Sequence, residues 1–433
     1  MILRTKYSSE INRDDYDKEV VVAGWVQDVR KLGSIAFIQL RDRDGVIQVT
    51  ALKKELNPEL FKRLTEVPRE SIISVKGVVK ENKEAKAGFE ILPKNVKIIS
   101  VAKTPLPIGV VDKVSTEIET RFDHRFMDLR KPEIQSIFRI RHTMLRAVRE
   151  EFLSNDFIEI HTPKIVATAT EGGTNLFRMQ YFEEKAFLNQ SPQLYKQMMM
   201  ATGLDRVFEI GPVFRAEEHD TVRHLNEFTS IDIEMAFADE EDVMKILEKI
   251  IHKIISMVNK ENKKELSILN IKIPVPETPF KRVDYSECVE LIKSKNVDVV
   301  DGEDFSMEAT KAIAEEFKDF YFITKWPTKT KPFYVQTFEN NPDLCRAFDL
   351  MHNENEVTSG AQRVHDVNLL KERIREQGLN PENFKYYIEA FEYGMPPHAG
   401  WGLGVERMLT ILTNAKNIRE CVLFPRDRRR LIP

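Results

Sequence analysis

The stretch Glu227-Phe-Thr-Ser-Ile-Asp-Ile-Glu234 constrains this chain more than any other. It reads as a strand, and side chains on a strand alternate between two faces. Phe228, Ser230, Asp232 and Glu234 then share one face, and Thr229, Ile231 and Ile233 the other. A face with two carboxylates is a poor core face, because burying an unpaired carboxylate is costly. It is either the exposed side of a hairpin or the wall of a wet functional cleft, and the residues alone leave both open. The partner strand comes just before it. Val207, Phe208 and Ile210 lead through Gly211-Pro212 into Phe214-Arg215-Ala216-Glu217-Glu218, and a charged loop follows.

The 433 residues suffice for two or three domains with a sizeable core. No apolar run approaches the ~20 residues that span a bilayer, and the first residues lack a signal-peptide core, so a cytoplasmic protein is expected. Cys288, Cys345 and Cys421 are far apart, odd in number and without metal-ligand spacing, which marks them as reduced packing residues. The first 104 residues carry 20 Lys and Arg against 15 Asp and Glu, and the rest 45 against 54. A mildly basic front on an acidic body permits an RNA contact there without demanding one.

Residues 1–103 read as five short strands around one helix: 20–26, 35–40, 46–50, 71–79, and 89–92 continuing over 96–99, with the helix over 56–64. Asp44-Gly45 is a hairpin signal. This pattern fits an OB-fold barrel, which binds single-stranded nucleic acid on a strand face. On spacing alone Phe37 is more a core residue than a base-stacking one. Residues 104–130, opening on Pro-rich Lys103–Gly109, read as hinge and linker, and 131–433 as the main domain. Pro132 begins a long helix with a stripe of Ile134, Ile137, Phe138, Leu145, Val148 and Phe152. A strand ending at Pro163 follows. Thr168–Gly173 is a loop in which Glu171 is, by itself, an ordinary turn glutamate. Gln193 and Lys196 share a helix face, and the apolar Met198–Met200 implies partial burial, so Lys196 needs a counter-charge. Asp239 caps a second long helix reaching Val258. Residues 281–330 read as mixed helices and turns. A polar turn at Asn353–Asn355 makes a hairpin that brings Asp349 and Glu356 together, where they repel unless a cation lies between them. Magnesium takes few carboxylates together with substrate phosphates. The alternating glycines of Gly400-Trp-Gly402-Leu-Gly404 permit close backbone approach to a nucleotide just before the last helix.

Phe214-Arg215-Ala216-Glu217, followed by Arg223-His224-Leu225-Asn226-Glu227-Phe228, resembles motif 2 of the class II aminoacyl-tRNA synthetases. Gly402-Leu-Gly404-Val-Glu-Arg407 resembles their motif 3, and the helix, strand and Pro163 resemble motif 1. The likeness runs from the N-terminal domain to the last residues and is nearest to the aspartyl branch of archaeal/eukaryotic type. It implies an α+β fold: an N-terminal OB-fold β-barrel that binds the anticodon, and a catalytic domain built on an antiparallel sheet flanked by helices. It further implies ATP-dependent attachment of L-aspartate to tRNA(Asp) through an aspartyl-adenylate, with Mg²⁺ as cofactor. A homodimer through the motif 1 region and no membrane association complete the expectation.

The same resemblance assigns roles. Arg215 is expected at the α-phosphate and carboxylate and Arg407 at the γ-phosphate end. Phe228 would stack on adenine, with Glu217, Arg223, His224, Leu225 and Gly404 also around ATP. Glu356 is the surer metal ligand, joined by Asp349 and Ser359. Glu171 would meet the substrate ammonium, with Gln193, Lys196, Asp232, Ser359 and Arg363 around the rest of the aspartate. Two cations, Lys196 and Arg363, suit a second carboxylate. Asparaginyl-tRNA synthetases, the alternative reading, lack the lysine at the position of Lys196. Arg30, Phe37 and Gln48 match anticodon-reading positions. At the positions of Gln27 and Glu84, Trp and Lys go with strict enzymes and His and Pro with relaxed ones. This chain fits neither pair, so charging of tRNA(Asn) stays open. A catalytically dead RNA-binding paralogue would lack Arg215, Glu356 or Arg407, and all three are present.

Overall fold

In the computed structural model, which describes residues 3–111, 115–167, 176–218 and 224–433, alternation in the N-terminal sequence closes into a barrel. The strands are β1 (Glu19–Leu32), β2 (Ile35–Arg41), β3 (Val46–Leu52), β4 (Ile72–Glu81) and β5 (Phe89–Ser100), in the closed order β1-β2-β3-β5-β4. Helix α1 (Pro58–Thr65) is capped by the Asn57 side chain. Val26, Ile38, Val49, Ile73 and Ile91 fill the interior, as alternation in a small barrel requires. The β2–β3 turn is held by Asp42, whose Oδ1 accepts the N–H groups of Asp44 at 2.8 Å and Gly45 at 3.0 Å.

The chain divides into two units, Met1–Thr120 and Arg121–Pro433. The second is organised by a nine-stranded sheet. Helix α2 (Pro132–Ser154) starts with proline in its first turn. Strand β6 (Ile158–Glu159) follows, then helix α3 (Gln193–Met200) and the antiparallel pair β7 (Arg206–Phe214) and β8 (Glu227–Ala236). Helix α4 (Glu240–Glu261) begins with a capping box in which Asp239 accepts the Asp242 N–H at 3.0 Å. Strands β9 (Lys281–Asp284), β10 (Phe320–Pro327), β11 (Asn341–His352), β12 (Asn355–Arg363) and β13 (His398–Gly404) complete the order β9-β10-β11-β12-β13-β8-β7-β6, with Thr337–Phe338 added at β11. Helix α5 (Val405–Thr413) leaves directly from β13.

The sheet is antiparallel except at its ends, where β9–β10 and β6–β7 are parallel. Residues 281–330 therefore differ from expectation: they hold two sheet strands besides their helices. Phe320, Tyr321, Phe322 and Ile323 are all buried. A strand covered on both faces shows no alternation to read.

Each face of the sheet carries its own core. Phe208, Ile231, Ile233 and Trp401 pack with the apolar stripes of α2 and α4. Val207, Tyr321, Ile323 and Ala361 pack on the other side with Leu194 of α3. Asp232 and Glu234, out of phase with Ile231 and Ile233, turn to that second side. Among the described residues no helix is long and apolar enough to cross a membrane.

Candidate active site

Strands β8, β13 and β12 lie side by side, and α3 packs over β8. Between them is a cleft of about 360 Å³, a size typical of small-molecule sites. Of the two readings left open for the carboxylate face, the cleft wall is the one found: Phe228, Ser230 and Asp232 line it, and Glu234 is buried behind.

At one end, Arg215, Glu217, His224, Leu225 and Phe228 gather where β7 gives way to β8. The Arg215 guanidinium carbon lies 5.5 Å from the Phe228 ring centroid, within cation–π range. The Arg215 N–H bonds Asn226 O at 2.9 Å, which closes the base of the loop. From α5, Arg407 Nη1 donates to both the backbone O and the Oε1 of Glu356, each at 3.1 Å. Gly404 lies beside it on the cleft wall. Helix α2 reaches the back of this region. Arg141 donates to Glu406 Oε1 at 2.6 Å and to Thr229 Oγ1 at 2.8 Å, and Glu406 Oε2 accepts the Thr229 N–H at 3.0 Å.

The β11–β12 hairpin forms as expected, with Asp349 opposite Ser359 and Met351 opposite Glu356. The chain itself supplies much of the charge between the two carboxylates. Lys331 Nζ donates to Asp349 Oδ2 at 2.8 Å and sits 3.8 Å from the Trp326 ring centroid. Burial opposes the Lys331 charge, and Asp349 more than restores it. Asp349 Oδ1, by contrast, is buried without a hydrogen-bond partner. Burial raises the Asp349 carboxyl above the usual range despite Lys331. An orphaned carboxylate oxygen beside Glu356 suits a divalent cation that also binds substrate phosphates. Among the described residues no group of three His, Cys, Asp or Glu side chains is assembled for a metal.

The other end holds four buried charges. Lys196 Nζ donates to Asp232 Oδ1 at 2.9 Å and to Trp401 O at 3.1 Å, and lies 3.6 Å from Glu234 Oε2. Arg363 Nε donates to Glu234 Oε1 at 2.9 Å, and its Nη2 reaches Gln193 Oε1 at 3.4 Å. Ser230 Oγ donates to Asp232 Oδ2 at 2.5 Å. Two cations and two carboxylates thus neutralise one another, the condition under which buried charge is tolerated. Burial works against the Arg363 charge, and Glu234 outweighs it. Arg363 and Gln193 line the cleft, whereas Lys196 and Glu234 lie one layer deeper.

The glycines of β13 serve these carboxylates. Gly400 stands opposite Glu234 and Gly402 opposite Asp232. A Cβ on Gly400 would lie 2.2 Å from Glu234 Oε2, and one on Gly402 3.0 Å from Asp232 Oδ1. At these two positions the alternation makes room for buried side chains, and Gly402 and Gly404 also line the cleft.

Glu171 and Arg223 lie outside the described residues. Glu234 and Lys331 escaped sequence reasoning as site residues. Glu234 was visible as a carboxylate on the cleft face, but Lys331 had no local signal.

On the barrel, Ala36, Ile38 and Val49 point inward, so Phe37 and Gln48 point outward. Arg30 pairs with Phe37 across β1–β2. Gln48 donates to Glu90 Oε2 at 3.1 Å and accepts from Gln39 at 3.3 Å. Gln27 sits in a β-bulge between Val26 and Asp28, and Glu84 is exposed in the β4–β5 turn, its N–H on Asn82 Oδ1 at 3.0 Å.

A family model described as tRNA synthetases class II (D, K and N) matches residues 117–428, and one described as OB-fold nucleic acid binding domain matches 20–99. The aspartate–tRNA(Asp/Asn) ligase of Methanococcus aeolicus is 54% identical over 430 residues, covering 99% of this chain and 98% of the relative. The aspartate–tRNA(Asp) ligase of Pyrococcus abyssi is 53% identical over 438 residues, with full coverage of both. A crystal structure of asparaginyl-tRNA synthetase from Pyrococcus horikoshii, complexed with asparaginyl-adenylate, matches with a TM-score of 0.94 at 32% identity over 100% of both chains.

Proposed function

The chain belongs to the class II aminoacyl-tRNA synthetases of the D, K and N group, and from that premise we propose that it joins L-aspartate to tRNA(Asp) at the expense of ATP. The observation that carries the choice of amino acid is the Arg363 guanidinium, which lines one end of the cleft beside Gln193, with Lys196 one layer behind it.

Arg363 presents guanidinium donors to the cleft and Gln193 stands beside it. A carboxylate accepts from such donors at every oxygen. An asparagine amide would turn N–H groups toward them, a mismatch that discriminates by orders of magnitude. An α-carboxylate oxygen of aspartate attacks the α-phosphorus of ATP. The new P–O bond forms as the bond to the β-phosphate oxygen breaks, and pyrophosphate leaves. The attacking group is already ionised, so the step needs positioning and charge stabilisation rather than a base. Arg215 serves the α-phosphate and the carboxylate, with Phe228 under the adenine and Glu217, His224, Leu225 and Gly404 around the nucleotide. Arg407 holds the far phosphates. Asp349 and Glu356, with Ser359, would hold Mg²⁺, whose charge would offset that of the polyphosphate. A terminal ribose hydroxyl of the tRNA then attacks the acyl carbon, and AMP leaves.

The outward Phe37, with Arg30 and Gln48 nearby, supports an anticodon contact on the barrel, with Gln27 and Glu84 as the further positions bearing on tRNA choice. Exposed Leu153, Ile158, Leu423 and Phe424 support a homodimer through the α2 region. Three buried free cysteines support a reducing, cytoplasmic setting.

The test is ATP–pyrophosphate exchange without tRNA, run separately with aspartate and asparagine. Exchange with aspartate is expected; exchange with asparagine alone would replace this reading with the asparaginyl one. Charging tRNA(Asp) and tRNA(Asn) side by side then separates a strict enzyme from a relaxed one.

A further inference from the structure

Behind the aspartate end of the cleft runs a line of hydrogen bonds that the reaction does not use directly. His398, on β13, is the register partner of Arg363 on β12 and is fully buried. Its Nδ1 lies 2.8 Å from Pro396 O, and its Nε2 lies 3.1 Å from Gln197 Nε2. Gln197 Oε1 accepts from Gln193 Nε2 at 3.0 Å, and Gln193 Oε1 accepts from Arg363 Nη2 at 3.4 Å.

The direction of every bond in this line follows from its two ends. A carbonyl only accepts, so His398 carries its proton on Nδ1. Burial holds the imidazole down at about 4, so at neutral pH the ring is uncharged and Nε2 is a bare acceptor. Gln197 must therefore turn its NH₂ to His398 and its oxygen to Gln193. Gln193 must turn its NH₂ to Gln197 and its oxygen to Arg363. Guanidinium only donates, so the far end agrees. A flipped Gln193 would set NH₂ against the Arg363 donors, and a flipped Gln197 would set oxygen against the lone pair of His398.

We propose that His398 and Gln197 are positioning residues for amino-acid selection: acting through Gln193, they lock its amide with the oxygen toward Arg363 and so fix the guanidinium that selects a carboxylate over an amide. The proposal rests on the aspartate reading of the cleft. Gln197 lies one helical turn from Gln193, at i,i+4 on α3, and neither it nor His398 lines the cleft. Their effect is on geometry, not on contact. With the line broken, Gln193 is free to turn, and the Arg363 guanidinium loses the acceptor that fixes where its donors point.

The experiment compares Gln197→Leu with Gln197→Glu in the full chain by ATP–pyrophosphate exchange. Leucine cannot accept from Gln193. Glutamic acid, kept uncharged by burial, still accepts from Gln193 and can turn its O–H to His398, and should rescue. For Gln197→Leu, the ratio of kcat/KM for aspartate to that for asparagine should fall about tenfold, with KM for aspartate raised and KM for ATP unchanged. Gln197→Glu should keep the ratio within about twofold. A folded leucine variant with the wild-type ratio would overturn the proposal, and so would a glutamate variant that loses as much as leucine. A second measurement needs no variant. The ¹⁵N signals of His398 in the unaltered protein should show the Nδ1–H tautomer, and an Nε2–H tautomer would sink the idea. If the unaltered enzyme exchanged asparagine instead of aspartate, the reading of the cleft would fail, while the tautomer would still report on the line itself.

Discussion

Arg363 Nε donates to Glu234 Oε1 at 2.9 Å, with both side chains shut away from water. Removing one partner of a buried pair strands the other charge, which costs about 3–5 kcal/mol. Glu234→Ala should lose that much in chemical denaturation and lose aspartate-dependent exchange with it. Glu234→Gln keeps an acceptor for Arg363 and should lose less on both counts. A Glu234→Ala protein as stable as wild type would mean that the four charges do not depend on one another.

Glu356 meets Arg407 through both its backbone O and its carboxylate. Chelation of divalent cations with EDTA should abolish exchange. Glu356→Gln keeps the backbone contact to Arg407 but weakens the metal site, so the Mg²⁺ giving half-maximal rate should rise about tenfold or more. A magnesium titration of the two proteins checks this.

Phe37 points out of the barrel while Ala36 and Ile38 fill it. Phe37→Ala should weaken tRNA binding by about 1–3 kcal/mol, the usual worth of one base stacked on an aromatic ring. Exchange without tRNA should be untouched. Loss of exchange in this variant would contradict the assignment.

Burial lowers the His398 imidazole from 6.5 to about 4. Between those values the unfolded chain takes up a proton that the folded chain refuses. Stability from this group is therefore complete above about pH 6.5 and declines as pH falls toward 4, by about 3 kcal/mol in all. Urea midpoints measured from pH 7 to pH 4.5 should show the decline, and His398→Gln should flatten that part of the curve.

All three cysteines are free and buried. Burial pushes the thiol of Cys345 up to about 11 and that of Cys288 up to about 12, and raises Cys421 as well. The thiolate is the reactive form, so a disulfide reagent should titrate no thiol in the folded protein and three after unfolding. One fast-reacting thiol in the native state would show a buried segment opening.

What the sequence could disclose depended on range. The barrel strands announced themselves because their alternation is local. The Asp239 cap and the β11–β12 turn are likewise decided within a few residues. Strand β10 hid because both of its faces are covered. The roles of Glu234, Lys331 and His398 hid for another reason: each is given by a partner elsewhere in the chain. Glu234 meets Arg363 129 positions away, and His398 meets Gln197 201 positions away. Lys196 was legible as needing a counter-charge, because its helix is visibly apolar on one side, and Asp232 supplies it.

Strand β13 fills the centre of the sheet, between β12 and β8, yet it comes last of the strands in the chain. A ribosome making this protein must finish residues 398–404 before the gap can close. A nascent chain that has completed β12 but not β13 leaves two strand edges unpaired, those of β8 and β12, and such edges invite pairing with other chains. Its carboxylates Asp232 and Glu234 wait through that interval without the glycines that make space for them. The protein is therefore most open to aggregation late in its own synthesis, between the completion of β12 and that of β13.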